Sequence, residues 1–243
     1  MNRPRRRLPL LNYNTFSIAA HDPETGMYGI SVSTKVPAVG AITNYARAGV
    51  GAIVTQAHAN PLFGLDGLNM LQQGYGAEKT IRALLDSDHE PERRQLSVID
   101  SRGRAAAYTG EDCNEWRGHY TGEGYSVAGN LLVGEATISS MAEAFEASAG
   151  EWFPERLMRA LEAGQEAGGD RRGRQSAAIY VVHHEPYSYL DLRVDEHAEP
   201  VAELRRVFEV VRTDLLPFVE RLPTRANPEG ELGEEILGSV PED

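Results

Sequence analysis

Cysteine is almost missing from this chain. Cys113 is the only one, so no disulfide can form within it, and cysteine usage lends nothing to a secreted, disulfide-stapled scaffold. It sits in Gly110-Glu111-Asp112-Cys113-Asn114-Glu115-Trp116, where acidic neighbours disfavour a thiolate, and it reads as structural. Lysine is scarce as well: Lys35 and Lys79 are the only two among 24 basic residues, against 36 acidic ones and a net charge of −12. Such a surface repels nucleic acid and anionic membrane, which excludes both as general partners. No apolar run approaches the length of a membrane span. Metal patterns are missing too. His183 and His184 are adjacent and would point to opposite faces of a strand, and there is no HExxH, paired CxxC or Asp-rich calcium loop. No metal or other cofactor is expected. A Walker loop, a GxGxxG ahead of a helix, a GxSxG elbow and internal repeats are also absent.

What is present is a chain of ordinary apolar content, 41% over 243 residues, which suits one large domain or two small ones with a substantial core. Strand-like runs over Thr15–Ala20 and Tyr28–Lys35 flank Asp22-Pro23-Glu24-Thr25-Gly26, a turn with Pro and Gly where a tight reversal needs them. Val50–Ala57 reads as a third, buried strand. Helical spacing follows over Pro61–Gln73, with Leu62, Leu65, Leu68 and Leu71 on one face, and over Ala77–Leu85. Gln95–Asp100 and Ala105–Tyr108 form a hairpin, and Tyr125–Ala128 adds a short strand. Two striped helices, Glu135–Ala149 and Pro154–Ala167, precede strands at Ser176–Val182 and Tyr189–Val194 and a last helix over Pro200–Leu222, interrupted or ended near Pro217. Segregated blocks of this kind predict an α+β fold with helices covering two antiparallel sheets.

The ends differ from the middle. Residues 1–14 carry Arg3, Arg5, Arg6 and Arg7 ahead of a short apolar stretch too brief for a secretory signal. A disordered basic tail, a removable propeptide and a start codon placed too far upstream all remain open. From Pro223 the chain is rich in Pro, Gly and Glu and reads as a loose acidic tail. The expected division is a basic extension at 1–14, a domain at 15–222 and the tail at 223–243.

Thr15 opens the first strand, and that position has chemical meaning if the chain begins there. A threonine at a free N-terminus owns a hydroxyl nucleophile and an α-amine with a pKa near ~8, and so carries its own general base. Lys35, closing the second strand, would keep that amine neutral.

Thr15-Phe-Ser-Ile with Asp22-Pro-Glu-Thr-Gly, Ala46-Arg-Ala-Gly-Val-Gly-Ala, Ala59-Asn-Pro, and Ala163-Gly-Gln-Glu-Ala-Gly-Gly-Asp-Arg-Arg-Gly-Arg-Gln-Ser-Ala-Ala together resemble domain of unknown function family 1028. The resemblance runs from Thr15 to about Leu216. It implies membership of the N-terminal nucleophile hydrolases, whose four-layer αββα sandwich agrees with the element order read above. It also places Thr15 at the nucleophile position and Lys35 where related enzymes keep a basic residue. Many family members begin directly at the Thr after an initiator Met, whereas fourteen residues precede it here. While those residues remain, the amine is locked in a peptide bond and cannot act as base.

Acyl transfer also needs donors for a developing oxyanion. Asn130, after Tyr125-Ser-Val-Ala-Gly, and Asn60, after a strand, are candidates, although Asn in loops is also a common turn former. His58 stands at a strand-to-helix junction, as a site residue or a hydrogen-bonded structural one. Arg171, Arg172 and Arg174 beside a Gly-rich turn suit a substrate carboxylate, or else tie acidic helices or a subunit interface together. Ser176 either donates into a site or is a small buried residue. The preferred reading is a cytoplasmic hydrolase of a small amide, carbamoyl or related C–N bond. Thr15 is its nucleophile, Lys35 its tuning cation and Asn130 its oxyanion donor, with His58, Asn60, Arg171, Arg174 and Ser176 toward the substrate. The rival reading is a non-catalytic binding or assembly protein with the same fold. A small-molecule substrate and self-association are the expected partnerships.

Overall fold

The computed structural model describes residues 13–231, so positions 1–12 of the extension and 232–243 of the tail lie outside the described residues. Side chains alternate along the first strand, β1 (Thr15–His21). Phe16, Ile18 and Ala20 join one apolar cluster, while Ser17 and Ala19 face the opposite side. β1 pairs along its whole length with β2 (Tyr28–Thr34), from Thr15 opposite Thr34 to His21 opposite Tyr28. The intervening turn closes through the Gly26 amide on the Asp22 carbonyl at 2.8 Å. Gly26 has φ of 75° there, a left-handed conformation that glycine adopts without steric cost.

The chain continues through a single helical turn, α1 (Gly40–Thr43), into β3 (Asn44–Arg47) and β4 (Gly51–Ala57). Helices α2 (Pro61–Gln72) and α3 (Ala77–Asp86) follow, then β5 (Arg94–Ile99), β6 (Ala105–Thr109), β7 (Gly118–Gly122) and β8 (Tyr125–Gly129). Next come α4 (Ala136–Ala147) and α5 (Phe153–Glu166), then β9 (Ser176–Val182), β10 (Ser188–Val194), α6 (Pro200–Asp214) and α7 (Leu216–Val219). The last helix breaks at Leu215, before Pro217, where the sequence put the interruption.

Two antiparallel sheets result: six strands in the order β10-β9-β2-β1-β8-β7 and four in the order β3-β4-β5-β6. The fold is therefore mixed α+β. Helices α4 and α5 bury Met141, Phe145, Leu157 and Leu161 against the six-stranded sheet, where Ser31 also donates to the Leu157 carbonyl at 2.9 Å. Helices α2 and α3 cover the four-stranded sheet through Leu68, Leu71, Ile81 and Leu84 over Ile53, Leu96 and Val98. The inner faces meet through Ala19, Ile30, Ala52, Val54 and Ile99. Beside them runs a polar seam in which Ser17 donates to Gln56 Oε1, Gln56 to Gln95 Oε1, and Gln95 to Thr109.

Three expectations need correction. Only half of the expected leucine face of α2 is packed: Leu68 and Leu71 turn inward with Phe63, Gly64 and Gly67, while Leu62 and Leu65 are 60% and 49% exposed. Glycines make this possible, since a Cβ on Gly64 would collide with the Tyr45 ring. Strands β3 and β7 went unread because β3 is only half-buried and β7 is Gly-bounded and exposed, so neither shows apolar alternation. Residues 223–231 of the expected tail fold back, with the Tyr187 hydroxyl donating to the Pro223 carbonyl and the Glu231 amide to the Arg221 carbonyl.

Candidate active site

The end of β1 lies in the middle of the larger sheet, so strand pairing alone assembles a row of polar residues there. Ser176 stands opposite Thr34 and Thr34 opposite Thr15. The Asn130 amide, just past β8, donates to the Thr15 carbonyl at 3.0 Å. Thr15 is fully buried, and its hydroxyl donates to the Tyr13 carbonyl at 2.5 Å.

The peptide bond ahead of Thr15 is gripped from three directions. The Asn14 carbonyl accepts from Thr34 Oγ1 at 2.5 Å and from Arg172 Nη2 at 3.1 Å, and the Asn14 side-chain oxygen accepts from Asn114 Nδ2 at 3.1 Å. Arg172 does not reach there unaided. Asp170, almost fully buried, accepts from Arg172 Nε and Nη2 at 3.1 and 2.7 Å, from the Arg172 amide at 2.9 Å and from the Lys35 amide at 3.0 Å. A bidentate carboxylate fixes the plane of the guanidinium, leaving one edge free to donate onward. The loop carrying Asn114 and the loop carrying Arg172 are tied together at Leu131, whose amide donates to the Asn114 carbonyl and whose carbonyl accepts from the Arg171 amide. Leu131 and Ala57, the residue that pairs with Tyr13, both have positive φ, 52° and 61°. Strain of this kind costs on the order of 1 kcal/mol per residue and gathers where a site over-determines the backbone.

A small cleft of about 80 Å³ adjoins Asn14, lined by His58, Arg93, Asp112, Cys113 and Asn114 among others. Burial lowers the His58 pKa, and Arg93 and Arg94 lower it further, which favours a neutral ring. Its Nε2 lies 3.0 Å from Arg93 Nη2, which can only donate, so Nε2 is the acceptor nitrogen. Burial drives the Cys113 thiol up to about 11, and its Sγ donates to the Arg94 carbonyl. That thiol is no nucleophile at neutral pH. Larger clefts exist elsewhere, such as one of about 400 Å³ lined by Trp152, His183, Tyr189 and Glu220, residues apart from the Thr15 row.

The sequence-derived candidates divide. Thr15, Asn130 and Ser176 fall on the row described above, and His58 lines the neighbouring cleft. The Asn130 side chain, however, donates to Gln95 Oε1 at 2.8 Å, and its own Oδ1 is buried without a partner. Ser176 braces a turn, donating to the Val36 carbonyl and accepting from the Val39 amide. Asn60 caps α2, with Oδ1 accepting from the Leu62 amide at 3.1 Å. Lys35 is exposed and its Nζ donates to the Arg174 carbonyl at 2.9 Å, while Arg174 itself pairs with Glu199. Arg171 is exposed and contributes its backbone amide. The cation brought to Thr15 is therefore Arg172. Thr34, Asn114 and Asp170 were missed. Asp170 carried a usable signal, an acid next to a run of arginines after two glycines, whereas Asn114 lies a hundred residues from its partner and offers no sequence signal.

Among the described residues no group of His, Cys, Asp and Glu could hold a metal ion, and no helix is long and apolar enough to cross a membrane. The fold is mixed α+β, with a buried threonine at the head of a central strand. Residues 15–204 match a family described as a family of unknown function, DUF1028, and the chain belongs to that family. It is similar to protein SPO2555 from Silicibacter pomeroyi, whose crystal structure is assigned to the same family. The TM-score is 0.82 with 30% identity, over 90% of this chain and 99% of that one. A match to Anbu, the ancestral β-subunit from Yersinia bercovieri, has a TM-score of 0.37 and 12% identity over 86% of this chain and 99% of that one, too distant to carry an argument. No curated protein matches the chain.

Proposed function

We propose that the protein is an N-terminal-nucleophile amidohydrolase of the αββα type, and that its catalytic form begins at Thr15. The observation that carries this reading is the grip on the Asn14 carbonyl. Thr34 and Arg172 already donate to a carbonyl oxygen bonded to the atom next to the Thr15 nitrogen, which is how an oxyanion is held. In the mechanism, Thr15 Oγ attacks the carbonyl carbon of an amide or carbamoyl substrate, and its proton passes to the free Thr15 amine. The C–N bond breaks, the amine hands that proton to the departing nitrogen, and water then hydrolyses the ester and restores Thr15. The oxyanion donors are Thr34 and Arg172, because the Asn130 side-chain Nδ2 is committed to Gln95 and its backbone N–H to the Thr15 carbonyl. The 15–222 domain, a cytoplasmic location, self-association and a small substrate without a cofactor belong to the same proposal.

One observation favours the non-catalytic alternative: Thr15 is fully buried and acylated by Asn14, itself 4% exposed. The first test is intact mass with N-terminal sequencing of protein made from its native start. A species beginning at Thr15 should hydrolyse amides, lose turnover as Thr15→Ala with an unchanged fold, and keep part of it as Thr15→Ser. A chain that retains Asn14, and a shortened chain with no turnover on any amide, would together hand the case to a binding or assembly role.

A further inference from the structure

Tyr13 and Asn14 lie in the site as a bound peptide would. The Tyr13 amide donates to the Ala57 carbonyl at 2.8 Å, and the Ala57 amide donates back to Tyr13 at 2.9 Å, so the segment adds an antiparallel bridge at the end of β4. This is how an extended peptide docks on a strand edge. The Tyr13 ring packs against Val32, Val39 and Ala178, an apolar patch of its own. Asn14 turns its carboxamide to Asn114 beside the small polar cleft and its carbonyl to Thr34 and Arg172. These donors lie 20, 100 and 158 residues away in sequence, so they form a seat built by the fold rather than a local turn. Among the described residues every named strand and helix begins at or after Thr15, as does the family match.

We infer, on the basis of the catalytic reading above, that Tyr13 and Asn14 occupy the acyl-side subsites of the site. Its substrates are then extended N-acyl chains with a carboxamide-bearing residue at the scissile carbonyl and an aromatic residue before it. Asn114 reads the carboxamide, the Ala57 backbone aligns the chain, and the Val32–Val39–Ala178 patch takes the ring. Asn114 is thus a specificity residue, and Thr34 and Arg172 hold whichever carbonyl is to be attacked.

The test uses a chain starting at Met-Thr15, from which the host removes the Met, with circular dichroism and thermal melting to establish the fold. Binding of N-acetyl-Tyr-Asn is compared by calorimetry with N-acetyl-Tyr-Ala and N-acetyl-Tyr-Leu. One part-buried side-chain hydrogen bond gives roughly a two- to fivefold preference for the Asn probe, and Asn114→Ala should erase that preference while leaving the Ala probe unaffected. Equal affinities, or no binding by a folded chain, would overturn the inference. Binding with the expected preference but no hydrolysis of the matching p-nitroanilide would leave the subsites standing and remove the nucleophile. If the shortened chain does not fold, the full chain reads the same recognition between its own Asn14 and Asn114: Asn14→Ala, Asn114→Ala and the double variant should be non-additive in thermal stability. Strict additivity would overturn the inference just as directly.

Discussion

Asp170→Ala should be the most damaging single change at the site outside the apolar core. The carboxylate is nearly inaccessible and accepts four hydrogen bonds, two from backbone amides and two from the Arg172 guanidinium. Removing one partner of a buried pair costs about 3–5 kcal/mol. Arg172 is a third exposed along its side chain, so water recovers part of its loss and the expected figure falls to about 2–4 kcal/mol. Asp170→Asn keeps an acceptor for one amide but gives up the bidentate pair, for a cost of about 1–2 kcal/mol. Arg172→Met leaves a nearly inaccessible carboxylate with two amides and no cation, and should cost about 2–3 kcal/mol. Urea unfolding of the three single variants and of the Asp170→Ala/Arg172→Met double variant measures all of this. If the carboxylate acts chiefly by holding Arg172, the double variant will be more stable than the sum of the singles predicts, by about 1 kcal/mol or more. An Asp170→Ala cost below about 0.5 kcal/mol, or strict additivity with Arg172→Met, would refute the account of how Arg172 is positioned.

Two further outcomes follow from features away from the site. Burial by itself would raise the Asp100 carboxyl, but the Arg104 guanidinium and the amides of Arg102, Arg104 and Ala77 outweigh it and hold the group below its ordinary range. The folded state thus prefers the ionised form. Its contribution is present above the unfolded pKa near ~3.9 and is lost as pH falls through the lower folded value. Asp100→Asn should therefore flatten stability between about pH 5 and pH 2, and an unchanged acid limb would contradict this. Gly64→Ala drives a Cβ into the Tyr45 ring and should destabilise by about 1–2 kcal/mol, overpacking outweighing the gain in helix propensity. In a Tyr45→Ala background the sign should reverse, and denaturant midpoints that fall in both backgrounds would show the ring is not the obstacle.

Much of this architecture was legible because its strands are long enough to display a period. The β1–β2 hairpin, the buried strands β4 and β9 and the stripes of α4 and α5 each repeat an apolar residue at the spacing their geometry demands. Where burial is partial, as in β3 and β7, there is no period to read. The inner face of α2 was misread in part for a related reason: a glycine that admits a neighbouring ring looks neutral in sequence, whereas an outward leucine looks buried. Thr15 was readable from strand order. Its surroundings were not, because Thr34, Asn114, Asp170 and Arg172 meet only after two sheets and two loops have closed, and Lys35 drew attention through its rarity while its ammonium faces the Arg174 carbonyl.

The seam of amides and hydroxyls between the sheets bears on alignment more than on adhesion. Where Ala19, Ile30, Ala52 and Val54 meet, the two layers touch through smooth, mostly small apolar groups that would fit almost as well one notch along. The Ser17–Gln56 link from β1 to β4 cannot be shifted that way, because the hydroxyl and the carboxamide oxygen are fixed partners. Gln95, held by Gln56 and Thr109 within its own sheet, accepts from Asn130 and donates to the Gly129 carbonyl across the gap. A displacement of one residue would break all of these at once in a medium that offers no water to replace them. The sheets are thus keyed against sliding, and the key sits one turn of the pleat from Thr15, at the point where a shift of an ångström would separate the hydroxyl from the groups gathered around it.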